Sequence, residues 1–335
     1  MEDVRFRILG PEEGRLLTEA IRAAYGESYD APWVYDAAEV SARLADGRYV
    51  SCVAESAAGE LLCHVGISRG DPGDRVGHSG QAVTMPAARG QHLFTRTKRH
   101  LVEWAREEGL AGMYMEATAA HPYSQLANVE LGAQETGFLL GWIPATVSND
   151  AAAGAPSHRE SAALLYLKTA DGDDRPVHAP PRHREVVART IAACGLRGRP
   201  AEPPPAHRLA PRTELRCEVR ADHNLALLAV GVPGADLEKV VAAERHHLFH
   251  RGLDAVYVDL PLEDPATALV SGHLERLGVS YAGIFPNRHA DGDVLRMQSL
   301  HRVRVSAADV AVGSDHGREL LDYVLSDLPP GCRAD

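Results

Sequence analysis

Clustered positive charge is scarce in this 335-residue chain, whose formal net charge is −11. Lysine is rare, while Ala, Arg, Gly and Pro are abundant in the manner of codon bias. A nucleic-acid binder neutralises phosphates with grouped Lys and Arg, so an acidic chain fits that class poorly. Cysteine is sparse too. Cys52, Cys63, Cys194, Cys217 and Cys332 are widely spaced, odd in number and form no CxxC pair. That excludes a disulfide framework and a zinc knuckle as expectations. No apolar run reaches membrane-spanning length, and the N-terminal Met-Glu-Asp leads into no apolar signal segment. A soluble chain in a reducing, cytoplasmic setting is expected. What the chain does have is bulk. Hydrophobic residues make up 45%, which points to a globular class. The length suits two domains.

Hydrophobic periodicity predicts strands over 4–9, 49–54, 60–69 and 79–85, the middle pair joined by a turn at Ala58-Gly59. Helices are predicted over 12–25, opened by Pro11, and over 36–45. Pro86 stops the fourth strand. A long helix over 91–108 follows, apolar at Leu93, Phe94, Leu101, Trp104 and Ala105, with Gly109 as C-cap. A strand over 112–117, a short helix over 123–131 and strands over 137–143 and 162–168 come next. A loop at 149–156 lies between the last two. Residues 171–181 read as a linker and 200–211 as irregular chain. The rest predicts helices over 185–193, 236–249, 266–277 and 317–325. It also predicts strands over 215–220, 226–232, 255–260, 281–285 and 294–300.

An internal repeat is visible. Gly109-Leu110-Ala111-Gly112-Met113-Tyr114-Met115-Glu116 matches Gly252-Leu253-Asp254-Ala255-Val256-Tyr257-Val258-Asp259. His121-Pro122 aligns with Asp264-Pro265 at the same offset, and Gly137-Phe138 with Gly283-Ile284 after a small shift. The ordered set predicts two copies of one fold, fused in tandem.

The stretch from Val83 to Leu93 runs strand, loop, helix, through Pro86, Arg89, Gly90, Gln91 and His92. A helix start of this kind offers unpaired N–H groups and a positive dipole end to an anion. The pattern resembles the P-x-x-R-G-x-G signature of the GNAT acyltransferase superfamily. The resemblance covers 1–170 well and 176–335 as a degenerate copy. It implies an α/β fold of the mixed-sheet, α+β kind. Two GNAT-like domains would stand in tandem, each a twisted mixed sheet flanked by helices. It also implies that the loop wraps the pyrophosphate of coenzyme A and that the splayed strand pairs with the pantetheine arm. The implied donor is a phosphopantetheine thioester, carried by acyl-CoA or by an acyl carrier protein. The implied acceptor is a small-molecule amine, in specialised metabolism.

On that resemblance the donor-binding residues are Val83, Thr84, Met85, Arg89, Gly90, Gln91, His92, Leu93 and Asn128. A backbone N–H near Thr84 or Met85 would polarise the thioester carbonyl. The chain departs from the pattern at Ala87 and His92. It departs again at Asn128, where many members carry the tyrosine that protonates the leaving thiolate. In the second copy the loop reads Gly231-Val232-Pro233-Gly234-Ala235-Asp236, without the arginine and with a carboxylate where phosphate would lie. That copy is expected to shape the acceptor site or the interface instead.

Candidate chemistry rests on few side chains. Glu116 could act as base or acceptor anchor. His121 suits proton shuttling at neutral pH. Tyr123 and Ser124 could protonate the thiolate, and His78 is a further candidate. Tyr25 and Tyr29 read as core packing beside the acceptor pocket. Arg96, Lys98 and Arg99, with Arg89, form a basic cluster on the helix after the loop. It would face either the phosphates of coenzyme A or the acidic surface of a carrier protein. His246, His247 and His250 have helical spacing but no carboxylate at a zinc-motif distance, so a polar helix face and no metal are expected. A different class also fits: a catalytically inactive pair that binds a thioester or partner as a regulatory module. An aminoacyl-tRNA-dependent transferase would need tRNA binding, which the net charge disfavours.

Overall fold

A short strand and then a proline open each half of the chain. In this computed structural model residues 4–27, 29, 31–145, 158–289 and 292–334 are described. Strand β1 (Arg5–Ile8) leads through a 3-10 turn at Pro11–Glu13 into helix α1 (Gly14–Tyr25). Asp36 caps α2 (Ala37–Ala45) by accepting the N–H groups of Ala38 and Glu39. Strands β2 (Tyr49–Glu55), β3 (Leu61–Ser68) and β4 (Val76–Thr84) form an antiparallel meander. Helix α3 (Leu93–Glu107) then crosses over to β5 (Gly112–Thr118), which runs parallel to β4. Helix α4 (Tyr123–Glu130) and strands β6 (Gln134–Ile143) and β7 (Glu160–Lys168) complete the first half. The loop expected at 149–156 lies outside the described residues.

The second half begins with β8 (Arg175–Val177), a 3-10 turn at Pro181–His183, α5 (Arg184–Ala193) and β9 (Gly198–Pro200). Strands β10 (Glu214–Arg220) and β11 (Leu225–Val232) follow, then α6 (Leu237–His250) and β12 (Ala255–Pro261). Helix α7 (Pro265–Arg276), strands β13 (Ser280–His289) and β14 (Gly292–Leu300), and α8 (Asp315–Asp327) end it. The predicted elements are present with shifted ends. The linker reading of 171–181 is corrected. It holds β8, which pairs with β9, and Val177 to Pro180 are buried. Its charge misled: Arg175 is buried against Asp293, and that pair anchors the crossing segment.

One 12-stranded sheet carries the chain, in the order β1-β2-β3-β4-β5-β7-β6-β13-β14-β12-β11-β10. The run β3-β4-β5-β7-β6 reappears inverted as β13-β14-β12-β11-β10, with the same parallel step, β4–β5 and β11–β12. The halves meet where β6 pairs antiparallel with β13 at Gly137 and Gly283. These are the two glycines that the repeat aligns. A Cβ at Gly137 would lie 2.3 Å from the Ala282 carbonyl, so backbone contact requires glycine there. Helix α8 packs on β6, so the last helix of the chain covers the first half.

Candidate functional site

Strand β4 begins in the sheet and then leaves it. It keeps parallel register with β5 only from Val76↔Gly112 to His78↔Tyr114. A register shift against β3 falls at the same place, with Gln81 at φ 51°. A bulge of this kind re-aims a strand, and here it turns β4 away from β5. Three side chains hold it. The Gln81 N–H donates to Tyr29 Oη at 3.2 Å, and Tyr25 Oη donates to the Ala82 carbonyl at 2.8 Å. His64 Nδ1 lies 2.7 Å from the Gln81 carbonyl, which can only accept, so Nδ1 carries the proton. Its Nε2 then accepts from Ser51 Oγ at 2.6 Å. Burial pushes the His64 imidazolium down to about 4, so the ring is neutral. Tyr25 and Tyr29 therefore do more than pack: they fix the splayed strand. Sequence patterning missed the bulge, because Gln81 differs in no local way from any strand residue.

A cavity of about 1410 Å³ fills the splay. Tyr25, Tyr29 and Trp33 line one end, Gly90 and His92 the other. In its wall Glu116 Oε2 lies 3.4 Å from His78 Nε2, and the His78 ring packs 5.0 Å from that of Tyr114. His121, Tyr123, Ser124 and Asn128 line it from the α4 side. Ser79 Oγ, Gln81 Oε1, His121 Nδ1, Ser124 Oγ and Asn128 Oδ1 are buried without a hydrogen-bond partner among the described residues. Buried polar atoms normally find partners, so their convergence on one cavity marks where a polar ligand or water would sit. Tyr123 is 74% exposed, with its ring 4.9 Å from that of His121.

The loop after β4 is open. Arg89, Gly90, Gln91 and His92 are exposed, and a Cβ at Gly90 would meet nothing within 4 Å. Gly90 has φ 78° and His92 φ 55°, both left-handed. Helix α3 therefore starts at Leu93, later than expected, with Gln91 and His92 in the loop. The left-handed turn also explains why a small residue suits position 92. One oxyanion candidate is corrected. The Met85 N–H is taken by the Leu62 carbonyl at 2.9 Å. Ladder alternation turns the Thr84 N–H to the other side, toward the splay.

The expected surface cluster is corrected as well. Lys98 is 1% exposed and lines the cavity rather than solvent. Arg96 stacks over the Phe6 ring at 4.9 Å, and Arg99 reaches Glu130 at 3.9 Å. Helical periodicity explains the split: position 98 falls on the same face as Leu101 and Val102. Lys98 is thereby removed from the expected cluster, while Arg96 and Arg99 stay three apart on the outer face.

The second half reaches the same cavity. Glu218, Val219, Arg220, Ala221, Asp222 and His223 form its far wall. A neighbouring cavity of about 450 Å³ shares Tyr114, Glu116, Glu218 and Arg220 with it and continues to Asp259 and Arg296. The second half also props α4. Gln125 accepts the Gly313 N–H at 3.0 Å and donates to the Ala311 carbonyl at 2.9 Å. Its own loop is closed. A Cβ at Gly234 would lie 2.4 Å from the Arg212 backbone, and Asp236 Oδ1 accepts the Thr213 N–H at 2.7 Å.

No protein-family model matches the chain, and no curated protein matches it. Solved structures do. The chain is similar to spermidine N-acetyltransferase from Vibrio cholerae in complex with CoA and spermine, at 14% identity and TM-score 0.39, over 50% of this chain and 95% of that one. It is similar to a GNAT-superfamily phosphinothricin acetyltransferase from Sinorhizobium meliloti in complex with acetyl-CoA, at 18% identity and TM-score 0.40, over 50% and 90%. A ribosomal-protein alanine N-acetyltransferase from Escherichia coli is similar at 14% identity and TM-score 0.40, over 51% and 97%. All three neighbours are acetyltransferases, one of them named as a GNAT-superfamily member, and each covers about half of this chain.

Proposed function

We propose that this chain is an N-acyltransferase of tandem GNAT architecture, moving an acyl group from acyl-CoA to the amine of a small molecule. The observation that carries this reading is the splay of β4 from β5, opened by the Gln81 bulge and lined by unpartnered polar atoms. A pantetheine arm can pair with the freed edge of β4, and Gly90 leaves room for phosphates at the helix start. The residues present fit that donor. The Thr84 N–H faces the splay as oxyanion donor. Glu116, held against His78, takes a proton from the attacking amine. Residues 218–223 close the acceptor side. The second half is read as a copy that has lost donor binding and now shapes the acceptor site and braces α4.

Free coenzyme A is favoured over a carrier protein, because Lys98 is buried and the basic surface that would meet such a partner is reduced to Arg96 and Arg99. The absence of a tyrosine at Asn128 favours the alternative, an inactive thioester-binding module. One experiment separates the two. Acetyl-CoA should raise the melting temperature, and free thiol should be released when amines such as spermidine, phosphinothricin or amino acids are added. Stabilisation without thiol release across the amine panel would favour the module. No stabilisation by CoA or acetyl-CoA would sink both.

A further inference from the structure

The chain has three lysines, Lys98, Lys168 and Lys239. Lys168 pairs with Asp171 at 2.7 Å, and Lys239 is exposed. Lys98 is different. It is 1% exposed on α3, and no described residue offers it a carboxylate or a hydrogen-bond acceptor. Its Nζ lies 5.8 Å from the centroid of the Phe94 ring. A buried ammonium without a counter-charge is costly to keep, and this one lines the cavity. Ser124 and Asn128 of α4 line the same cavity, with Ser124 Oγ and Asn128 Oδ1 both unpartnered. Asn128 has no acidic proton to give, and its amide already donates to the Ser124 carbonyl at 2.7 Å.

We propose that Lys98 is the proton donor to the leaving thiolate, a role for which α4 supplies no acid at position 128. This rests on the acyl-transfer reading above. The amine nitrogen attacks the thioester carbon, and the carbonyl electrons move onto oxygen. The carbonyl then re-forms, the C–S bond breaks, and sulfur leaves with the electron pair. The Lys98 ammonium passes its proton to that sulfur and becomes a neutral amine. The proton lost by the acceptor amine leaves through Glu116 and His78 to solvent, and solvent returns one to Lys98. No further reactant is needed. Burial pushes the Lys98 ammonium down to about 7, below the ordinary thiol value of about 8.5. Proton transfer to a thiolate is therefore downhill, and the neutral amine is at home in the same cavity.

The test uses the full chain, acetyl-CoA and any amine that supports turnover. Lys98→Met removes the ammonium and keeps the stem. Lys98→Arg keeps a charge that cannot be given up. Both should lower kcat by about 100-fold, with KM for acetyl-CoA within about threefold. The wild-type kcat should fall as pH rises through the neutral range, and that limb should vanish in both variants. Lys98→Met should melt no lower than wild type, since it removes a buried charge, which separates lost chemistry from lost folding. Lysine acylation followed by mass spectrometry should label Lys98 in the free protein and spare it with CoA bound. A Lys98→Met enzyme within threefold of wild-type kcat, or one that keeps the alkaline limb, overturns the proposal alone. Labelling of Lys98 unaffected by CoA also overturns it. A wild-type chain that releases no thiol with any amine overturns the parent reading, and this one with it.

Discussion

The two parallel strand pairs, β4–β5 and β11–β12, start alike and end differently. Ladder register between β4 and β5 stops at His78↔Tyr114, so Glu116 faces a gap. Between β11 and β12 it continues to Ala229↔Asp259, the residue that aligns with Glu116. Strand β11 also carries a register shift, against β10 between Glu214 and Leu215, but its parallel ladder with β12 has reached Asp259 by then, whereas the ladder beside the Gln81 bulge stops two pairs earlier. The acids differ too. Asp259 is tied to Arg296 by two hydrogen bonds of 2.7 Å, and that guanidinium lies 4.2 Å over the Phe285 ring. Glu116 has the titratable His78 as its partner at 3.4 Å. An earlier stop of the parallel ladder and one partner exchange thus separate an open site from a closed brace on a shared topology.

The largest effect expected from this contrast is at the paired acids. Asp259→Asn takes from the buried Arg296 the carboxylate that it hydrogen-bonds, leaving only the more distant Glu116, and breaking such a pair costs about 3–5 kcal/mol. Denaturant unfolding should show that loss. Glu116→Gln should stay within about 1 kcal/mol of wild type by the same measurement, while kcat falls by about 100-fold. Equal stability losses in the two variants would erase the distinction between site and brace.

The paired loop glycines come next. Gly234→Ala forces a Cβ to within 2.4 Å of the Arg212 backbone, so it should destabilise the fold by about 1–3 kcal/mol. Its CoA affinity should be unchanged in calorimetry. Gly90→Val has open space for its side chain but takes φ 78°. It should weaken CoA by tenfold or more, because a β-branched residue refuses that conformation at the phosphate loop. CoA binding lost in Gly234→Ala as well would mean that the second loop also holds donor.

Much of this architecture was legible in the sequence. Period-two and helical patterns located most elements of both halves, though not β8 and β9, and the repeat aligned Gly137 with Gly283. The open loop was legible because glycine and proline have local meanings. Three things were not. The bulge at Gln81 depends on Tyr25, Tyr29 and His64, which are far away in sequence. The burial of Lys98 depends on which face of α3 meets the splay, and a lysine reads as surface by type. The reach of residues 218–223 into the first cavity depends on how β6 meets β13, a long-range pairing with no local signal.

Acid should also separate the halves, though by less. His64 and His183 are both held near 4 by burial, against 6.5 unfolded. A histidine lowered in the fold contributes stability above its unfolded value and loses it as pH falls toward the folded one. Each should therefore cost about 2 kcal/mol between pH 7 and pH 5. His64 alone also holds the bulge. Urea unfolding at the two pH values should give about half the wild-type loss in His64→Asn. CoA binding in wild type should weaken over the same range. An unchanged loss in His64→Asn would mean that the acid sensitivity lies elsewhere.

The smallest effect tests the left-handed residues themselves. His92 and Asn224 have nearly the same φ, 55° and 50°. Asn224 is locked: its Nδ2 donates to Asp254 Oδ2 at 2.8 Å and to the Gly252 carbonyl at 3.3 Å. His92 caps α3 without a side-chain cap hydrogen bond, so no such bond offsets its strain. Left-handed backbone costs a non-glycine residue about 1–2 kcal/mol, and glycine gives back about 0.5–1 kcal/mol in unfolded-chain entropy. His92→Gly should therefore raise stability by up to about 1 kcal/mol. Asn224→Gly should lower it by about 1 kcal/mol, because it strips two hydrogen bonds from a position that glycine would otherwise suit. Thermal melts of the two variants should move in opposite directions. Movement in the same direction would show that the strain at His92 is relieved by contacts of its own and that the open loop is as tightly built as the closed one.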